Sequence, residues 1–262
     1  MLAVGWVGCH DAPAPPVAKP EADATSVVNT SAEDTSAVAL IQRVRAAHGS
    51  HRLDSATVTF TFRGTPFEVE REGGRFAYTR VWTDSTGSGR DVLSNDGVVR
   101  FVDGEPVPLD VEAARIAEEK IGSVVYFALL PYALADPAVQ PRLVGQDTLS
   151  GRGYELLEVT FRKEGGGRDY QDRFLYWVHP EQATIDYLAY SYEVNGGGAR
   201  FRQAVNPRTV GGVRFADYVN FAAEPATPLE RLWALWATDS LELRSRIVLE
   251  DVRVFATEPI EQ

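Results

Sequence analysis

The sequence predicts an α+β protein, in which an antiparallel β-sheet packs against a few helices. Apolar and polar residues alternate with a period of two in many short stretches, as over residues 56–62. Tight-turn signals such as residues 95–97 separate these stretches, so consecutive strands run antiparallel. Helical periodicity is confined to a few segments, and the strand–helix alternation of a parallel sheet is missing. A partly open barrel with helices against one face fits the same pattern.

The N-terminal residues predict a lipid anchor. Cys9 is the only cysteine, follows a short apolar run over residues 2–8 and precedes a Pro- and Ala-rich stretch. This setting is typical of a bacterial lipoprotein with a lipidated thiol, although Trp6 departs from the usual lipidation box. Eight residues without Lys or Arg are short for a signal peptide, so we expect residues 1–9 to be the end of a longer one. The alternative is a buried or incidental cysteine.

Domain organisation follows from composition. Residues 10–30 carry four prolines among small and polar residues, which predicts a flexible linker, and residues 31–262 suit a single domain. The net charge of −11, with three lysines against 23 arginines (26 minus 3), argues against nucleic acid as a partner. No apolar stretch reaches the roughly 20 residues of a membrane span.

The elements are predicted in order along the domain. Ser31 with Asp34 offers a cap for a helix that Gly49 ends. Strands joined by tight turns follow, and Asp110 then caps a helical segment that extends to residue 134. Thr227 precedes a last helix over 228–237. The remaining strands are expected at about 142–148, 152–163, 170–179, 184–194, 199–206, 211–221 and 241–255.

Several stretches between residue 48 and about residue 221 are specific enough to compare with known families; the most specific are residues 123–132, 136–139, 184–192, 195–198 and 200–202. In these stretches the chain resembles a family of uncharacterised bacterial envelope proteins with a LolA/LolB-like fold. It implies a strongly curved antiparallel sheet, a half-barrel around an apolar cavity, with helices covering the concave face. It carries over no functional residue.

Two sets of residues are candidates for lining such a cavity. The apolar segment 123–134, broken by Pro131, is a candidate lid over the sheet, with Tyr126, Phe127, Leu130 and Tyr132 as its ligand contacts. The second set consists of aromatic residues on two predicted strands that could line the same cavity: Tyr176, Trp177, Tyr190 and Tyr192. Ordinary core packing is the alternative for both sets. Because Tyr187 alternates with Tyr190 and Tyr192, we expect both faces of this strand to be covered.

Other chemistries find weaker support. His48 and His51 have the spacing of two metal ligands but lack two more, so capping and surface roles are expected and no metal or cofactor is predicted. A Schiff-base lysine needs an apolar setting that no lysine has, and Ser88 lies in a turn rather than a nucleophile elbow. Arginines interpreted as outer residues could bind another envelope component or pair with acids; they are Arg63, Arg80, Arg200 and Arg202.

Three function classes follow from these observations. The favoured one is a membrane-anchored envelope lipoprotein, periplasmic or on the outer membrane, that binds a lipid or another apolar small molecule without catalysis. The second is a structural or protein-interaction module of the envelope with a filled core and an unknown protein partner. The third is an enzyme, which would need a polar pocket with a titratable pair of residues.

Overall fold

The computed structural model describes residues 27–85, 87–149, 151–165, 170–193 and 197–256, with the side chains of 27–34 and 84 left aside. The anchor prediction at Cys9 and most of the predicted linker lie outside these residues. The helices are α1 (Val27–Ala47), α2 (Val111–Ala128) and α3 (Leu229–Ala237), and two 3₁₀ turns cover Ser50–Asp54 and Tyr132–Ala135. Helix α1 begins at Val27, inside the predicted linker, because no proline or glycine between Pro20 and Gly49 interrupts it.

The described strands form two seven-stranded antiparallel sheets. Their bounds are β1 (Ser55–Phe62), β2 (Thr65–Glu72), β3 (Arg75–Asp84), β4 (Gly87–Ser94), β5 (Gly97–Val102), β6 (Glu105–Val107), β7 (Val139–Leu149), β8 (Arg152–Phe161), β9 (Arg173–Val178), β10 (Ile185–Tyr192), β11 (Gly198–Val210), β12 (Val213–Ala223), β13 (Glu242–Ile247) and β14 (Leu249–Ala256). The first sheet has the order β14-β1-β2-β3-β4-β5-β6, and the second has the order β13-β12-β11-β10-β9-β8-β7. The predicted α+β class with a curved antiparallel sheet is confirmed.

One strand joins the two sheets. The sequence predicts a single strand over 241–255, and the structure divides it at Val248 into β13, which pairs with β12, and β14, which pairs with β1. We call the junction from Ile247 to Leu249 the seam. Asp217 accepts a hydrogen bond from the Leu249 backbone nitrogen at 3.1 Å, and Arg208 donates to the Leu249 carbonyl at 2.6 Å. The seam is therefore fixed to the second sheet by side chains.

A β-bulge follows the seam in β14. Thr59 pairs with Arg253 and Thr61 pairs with Glu250, so two residues of β14 lie opposite the single residue between those threonines. Asp251 has a φ of 52°, the left-handed conformation that the first residue of a G1-type bulge adopts. The bulge allows the apolar residues on both sides of it to face the interior.

The helices cover both faces of the second sheet. On the inner face, α1 and α2 pack against Tyr176 and Leu188; on the outer face, α3 packs against Trp177 and Ala189. Successive strand residues point to opposite faces, so this arrangement explains why the strands are apolar on both sides. Helix α3 therefore lies on the opposite face of the second sheet from α1 and α2. The opposite orientations predicted for Tyr187 and Tyr190 are those observed.

Helix α2 lies in the angle between the two sheets. Asp110 caps it as predicted, accepting a hydrogen bond from the Ala113 backbone nitrogen at 2.7 Å. Ile121 and Val125 pack on the first sheet, whereas Tyr126 and Phe127 pack on the second. A helix that is apolar on two faces is buried on two faces, and α2 therefore separates the two halves of the core.

The end of α1 is held by a buried histidine and a close backbone contact. His48 is only 6% exposed, contrary to the surface role expected of it, and its Nδ1 lies 2.8 Å from the Val44 carbonyl oxygen. Burial lowers the pKa of His48 to about 4. Gly49 has a φ of 67°, and a Cβ there would lie 2.0 Å from the Gly212 carbonyl oxygen. Only glycine fits where α1 meets the β11–β12 turn.

Candidate functional site

A cavity of about 290 Å³ lies between α2 and the seam. Its walls come from α2, the end of β1, the second-sheet strands β10 to β13 and the first residue of β14. The lining residues are Phe62, Arg63, Ser123, Val124, Phe127, Ala128, Tyr190, Arg202, Ala216, Tyr218, Asn220, Ser245, Ile247 and Leu249. The cavity therefore occupies the place where the sheets diverge and a single helix must fill the gap between them.

The lining divides into a solvent-accessible rim and a buried interior. Arg63 and Ser123 are exposed and form part of the rim, where the Arg63 guanidinium carbon lies 5.1 Å from the Phe62 ring centroid. Arg202 and Asn220 are buried in the interior. A ligand entering past Arg63 would thus pass from water into a largely desolvated space.

The second sheet gives the cavity a polar floor. Arg202 on β11 donates from Nε to the Asn220 side-chain oxygen at 3.2 Å and from a terminal nitrogen to the Tyr190 hydroxyl at 2.7 Å. Asn220 in turn donates to the Ser245 hydroxyl at 3.1 Å. The Arg202 guanidinium carbon lies 3.8 Å from the centroid of the Phe127 ring, which covers it from the α2 side. The floor is a chain of hydrogen bonds with one positive charge.

Two of the predicted ligand contacts line the cavity. Phe127 projects from α2 and Tyr190 from β10, with ring centroids 5.3 Å apart. They reach the same space because α2 lies across β10 on the inner face of the second sheet. Burial raises the pKa of Tyr190, so its hydroxyl is neutral at physiological pH.

Tyr126 and Tyr176 lie behind the cavity wall. Their hydroxyls are hydrogen-bonded at 3.0 Å, and burial raises the pKa of both. Tyr176 is fully buried on β9, and Tyr126 packs edge-on against Phe127. These tyrosines support the lining residues and do not line the cavity themselves.

Leu130 and Tyr132 occupy other parts of the core. Leu130 is buried among the apolar side chains of the second sheet. Tyr132 lies on the side of the first sheet, donates to Asp54 at 2.9 Å and stacks under the Arg71 guanidinium. A charged substitution at Leu130 would therefore perturb folding rather than ligand uptake alone.

Trp177 and Tyr192 also lie away from the cavity lining. Trp177 is fully buried on the outer face of the second sheet, where its indole nitrogen donates to Asp147 at 3.1 Å. Tyr192 lies two residues beyond Tyr190 on the same face, and the Arg200 guanidinium covers its ring at 5.1 Å. The structure thus separates the aromatic residues that the sequence grouped.

Arg202 is the main cavity residue that the sequence interpretation misplaced. It was expected at the outer surface and in an ion pair, but it is 7% exposed and forms no ion pair within the described residues. By contrast, Arg80 lies near the buried Asp91, as an ion-pairing residue should. Tyr218, Asn220 and the seam residues were not singled out, because only the pairing of β12 with β13 brings them to the cavity.

Within the described ranges, no group of three or more His, Cys, Asp or Glu side chains is placed to hold a metal ion. No helix there combines the length and apolar character that crossing a membrane would need. The cavity lining described above contains no His, Asp, Glu, Lys or Cys.

Comparisons with known proteins identify the family. A family model described as "Family of unknown function (DUF6503)" matches residues 24–249, which is most of the chain, and the chain therefore belongs to this family. The predicted membership of an uncharacterised family is confirmed. No curated protein matches the chain.

Solved structures show distant similarity. A LolA superfamily protein from Nitrosomonas europaea is 10% identical, with a TM-score of 0.47 over 86% of this chain and 94% of that one. A domain described as an outer membrane lipoprotein-sorting protein from Vibrio parahaemolyticus is 7% identical, with a TM-score of 0.49 over 87% and 95%. The Mycobacterium tuberculosis lipoprotein LppX is 13% identical, with a TM-score of 0.27 over 61% and 90%. These identities transfer no ligand or partner.

Proposed function

We propose that this member of a family of unknown function binds a lipid or another apolar small molecule in the cavity under α2, without catalysis. The observation that carries the proposal is the cavity itself, about 290 Å³ between α2 and the seam. Protein interiors are packed nearly as densely as organic crystals. A cavity of this size, next to the lower end of the roughly 300–1,000 Å³ range of ligand pockets, favours a ligand.

The apolar part of the lining suits a hydrocarbon chain. Val124, Ala128, Ile247 and Leu249 present aliphatic groups from α2 and the seam, and Phe62 closes the end of β1. Each methylene that leaves water for such a surface contributes roughly 0.8 kcal/mol. A chain of several methylenes would therefore bind without directional contacts to this wall.

The lining residues give no support to catalysis. A general base must accept a proton near neutral pH, and burial raises the pKa values of the two lining tyrosines, that of Tyr218 to about 12. The Ser245 hydroxyl accepts a hydrogen bond from Asn220 rather than pairing with a base. Sequestration of a ligand is the function that these groups can perform.

The proposal includes attachment to a membrane through Cys9. A lone cysteine behind an apolar run supports it, and such an anchor would place the domain in the cell envelope. Expression of the natural gene, including any coding sequence upstream of residue 1, in a bacterium that lipidates envelope proteins, followed by detergent phase separation, tests this part. We expect the protein in the detergent phase and the Cys9→Ser variant in the aqueous phase. A wild-type protein that stays aqueous would contradict the anchor.

Native mass spectrometry followed by organic extraction tests ligand binding. The full chain carrying Cys9→Ser is purified, so that any lipid found is bound non-covalently. We expect an additional mass of fatty-acid or phospholipid size that extraction removes. A protein that purifies free of ligand, and takes up none from fatty acid or from phosphatidylglycerol vesicles, would overturn the proposal.

A cavity-filling variant connects the bound mass to the site. Ala216 lines the cavity, and Ala216→Leu adds three carbon atoms to that space. Ala234 is exposed on α3, on the outer side of the second sheet, so Ala234→Leu is the matched control. We expect Ala216→Leu to lower ligand occupancy at least about fivefold and the control to keep it. Equal occupancy in both variants would place the ligand elsewhere.

A further inference from the structure

Arg202 carries a buried charge without a counter-charge. Its side chain is 93% buried, yet no carboxylate pairs with it anywhere in the described ranges. Its hydrogen-bond acceptors are the neutral oxygens of Asn220 and Tyr190. Burial raises the pKa values of Tyr190 and Tyr218, so neither tyrosine supplies a negative charge. Burial also lowers the pKa of Arg202, although arginine remains protonated in proteins.

The guanidinium group also has spare hydrogen-bonding capacity. One of its terminal nitrogens, Nη1, is buried and has no acceptor among the described residues. A buried donor left without a partner costs roughly 1–3 kcal/mol, and more when it is charged. The Phe127 ring compensates part of the charge through a cation–π contact at 3.8 Å. It cannot accept the hydrogen bonds that a carboxylate or phosphate would.

The other buried charges among the described residues are paired. Asp91 meets Arg100 at 2.6 Å, Glu158 meets Arg142 at 2.6 Å, and Asp217 meets Arg208 at 3.0 Å. The chain has an excess of acidic residues, with a net charge of −11, so acids to pair with Arg202 are plentiful. The lack of a carboxylate beside Arg202 therefore reflects the arrangement of this cavity and not a shortage of acidic residues in the chain.

The two sides of the cavity differ in polarity. The floor on the second sheet carries Arg202, Asn220 and Ser245, whereas the walls from α2 and the seam are apolar. A pure hydrocarbon would contact the floor without accepting hydrogen bonds from it. A small anion would make no contact with the apolar walls. A molecule with one charged end and one apolar chain matches both sides.

We propose that the cavity takes a single-chain amphiphile with an anionic head group, a carboxylate or a phosphate monoester, which accepts hydrogen bonds from Arg202. The chain then lies along the apolar wall formed by Val124 and Leu249 and leaves past the rim at Arg63. This inference rests on the proposed function, because it assigns a chemical class to the ligand of the same cavity. It also assigns the orientation, with the head group inside and the chain towards the rim.

The test compares three ligands that share one chain: decanoate, decyl phosphate and 1-decanol. Isothermal titration of the full chain carrying Cys9→Ser gives the affinity for each. We expect at least one of the two anions to bind about tenfold or more tightly than decanol, equivalent to about 1.4 kcal/mol. Preference for decanoate would indicate a fatty acid, and preference for decyl phosphate would indicate a phosphate-bearing lipid.

Variants assign the preference to Arg202. We expect Arg202→Met to bind the anions and decanol within about twofold of one another. Arg200→Met is the matched control, because it removes an arginine of the same strand that does not line the cavity, and it should keep the preference. If Arg202→Met does not fold, the three wild-type affinities and Arg202→Lys, which keeps the charge, decide the question.

The outcomes separate the two proposals. Decanol bound by the wild-type protein as tightly as both anions would overturn the anionic head group and leave ligand binding intact. An anion preference that persists in Arg202→Met would place the head group elsewhere and also overturn the inference. A wild-type protein that binds none of the three ligands would overturn ligand binding itself.

Discussion

Asp91 in the first sheet and Arg202 in the second bury one charge each in different ways. Asp91 is fully buried, and Arg100 binds both its carboxylate oxygens at 2.6 and 2.9 Å. The indole nitrogen of Trp82 donates to the same carboxylate at 3.2 Å. Arg202 is nearly as buried, but it meets only neutral oxygens and an aromatic ring. The first charge is compensated within the protein, and the second is not.

This difference indicates that the charge of Asp91 stabilises the fold, whereas the charge of Arg202 serves ligand binding. A compensated charge stabilises the arrangement around it, and removing it leaves its partners without a counter-charge. An uncompensated charge beside a cavity costs stability in the absence of a ligand, a cost typical of binding sites. Substitutions at the two sites should therefore act in different ways, on folding at Asp91 and on binding at Arg202.

The largest effect is expected from Asp91→Asn. The neutral amide leaves the adjacent arginines without a counter-charge, and we expect the free energy of unfolding to fall by roughly 3–5 kcal/mol. Urea denaturation followed by circular dichroism measures it. Asp96→Asn, in an exposed turn of the same sheet, is the control and should change stability by less than about 0.5 kcal/mol. If the two variants lower stability equally, the paired charge of Asp91 does not stabilise the fold, and the contrast with Arg202 is wrong.

His48 represents a third way to bury a titratable group, because it stays neutral. Its pKa is about 4 in the folded protein against an ordinary value of 6.5. As the pH falls from about 6.5 to 4, the unfolded chain gains a proton that the folded chain does not, so stability falls. The difference corresponds to about 3 kcal/mol.

Denaturation at a series of pH values measures the contribution of His48. We expect the loss of stability between pH 6.5 and 4 to be smaller in His48→Gln, since this buried position then holds no imidazole. His51→Gln removes an exposed histidine from the neighbouring turn and should keep the wild-type profile. A His48→Gln profile that parallels the wild-type one would show that other groups cause the loss.

Tyr126→Phe tests the layer behind the cavity. It leaves the buried Tyr176 hydroxyl without its partner at 3.0 Å, and we expect the free energy of unfolding to fall by about 1–2 kcal/mol. Tyr126→Phe with Tyr176→Phe should recover part of this loss, because no hydroxyl is then left unpaired. Ligand affinity should change less than about twofold, and a larger change would make Tyr126 a ligand contact.

The smallest effect on stability is expected at Arg202. Arg202→Met removes an uncompensated charge but also the hydrogen bonds to Asn220 and Tyr190, so we expect stability within about 1 kcal/mol of the wild type. Arg100→Met is its counterpart in the compensated cluster and should cost more, roughly 3 kcal/mol. Urea midpoints of the two variants provide the comparison. If Arg202→Met costs as much as Arg100→Met, the guanidinium group is structural.

Local patterns predict much of this fold. Alternation identifies the strands and places Tyr187 and Tyr190 on opposite faces, and Asp110 marks the start of α2. The change of sheet at Val248 is beyond such patterns, because alternation assigns a strand its faces but not its partner. The early start of α1 is consistent with a local feature, the lack of proline and glycine between Pro20 and Ser31.

The candidate site was only partly predictable for the same reason. Phe127 and Tyr190 belong to conspicuous aromatic segments. Arg202 lies on a strand next to β10, and a sheet covered on both faces must bury one side of that neighbour too. The aromatic pattern thus contained a signal for a buried arginine. Whether an acid reaches the arginine depends on long-range packing, which the sequence does not encode locally.

The bulge at Asp251 has a consequence for insertions and deletions in the last strand. Ile247 and Leu249 face the cavity, residues 250 and 251 are both exposed, and Val252 returns to the core. Removing Asp251 would therefore leave the inside–outside order of its neighbours unchanged. Removing Val248 would reverse that order for Leu249, the residue that closes the cavity. The last strand therefore contains one extra residue, Asp251, whose deletion would leave the cavity-lining residues facing the interior.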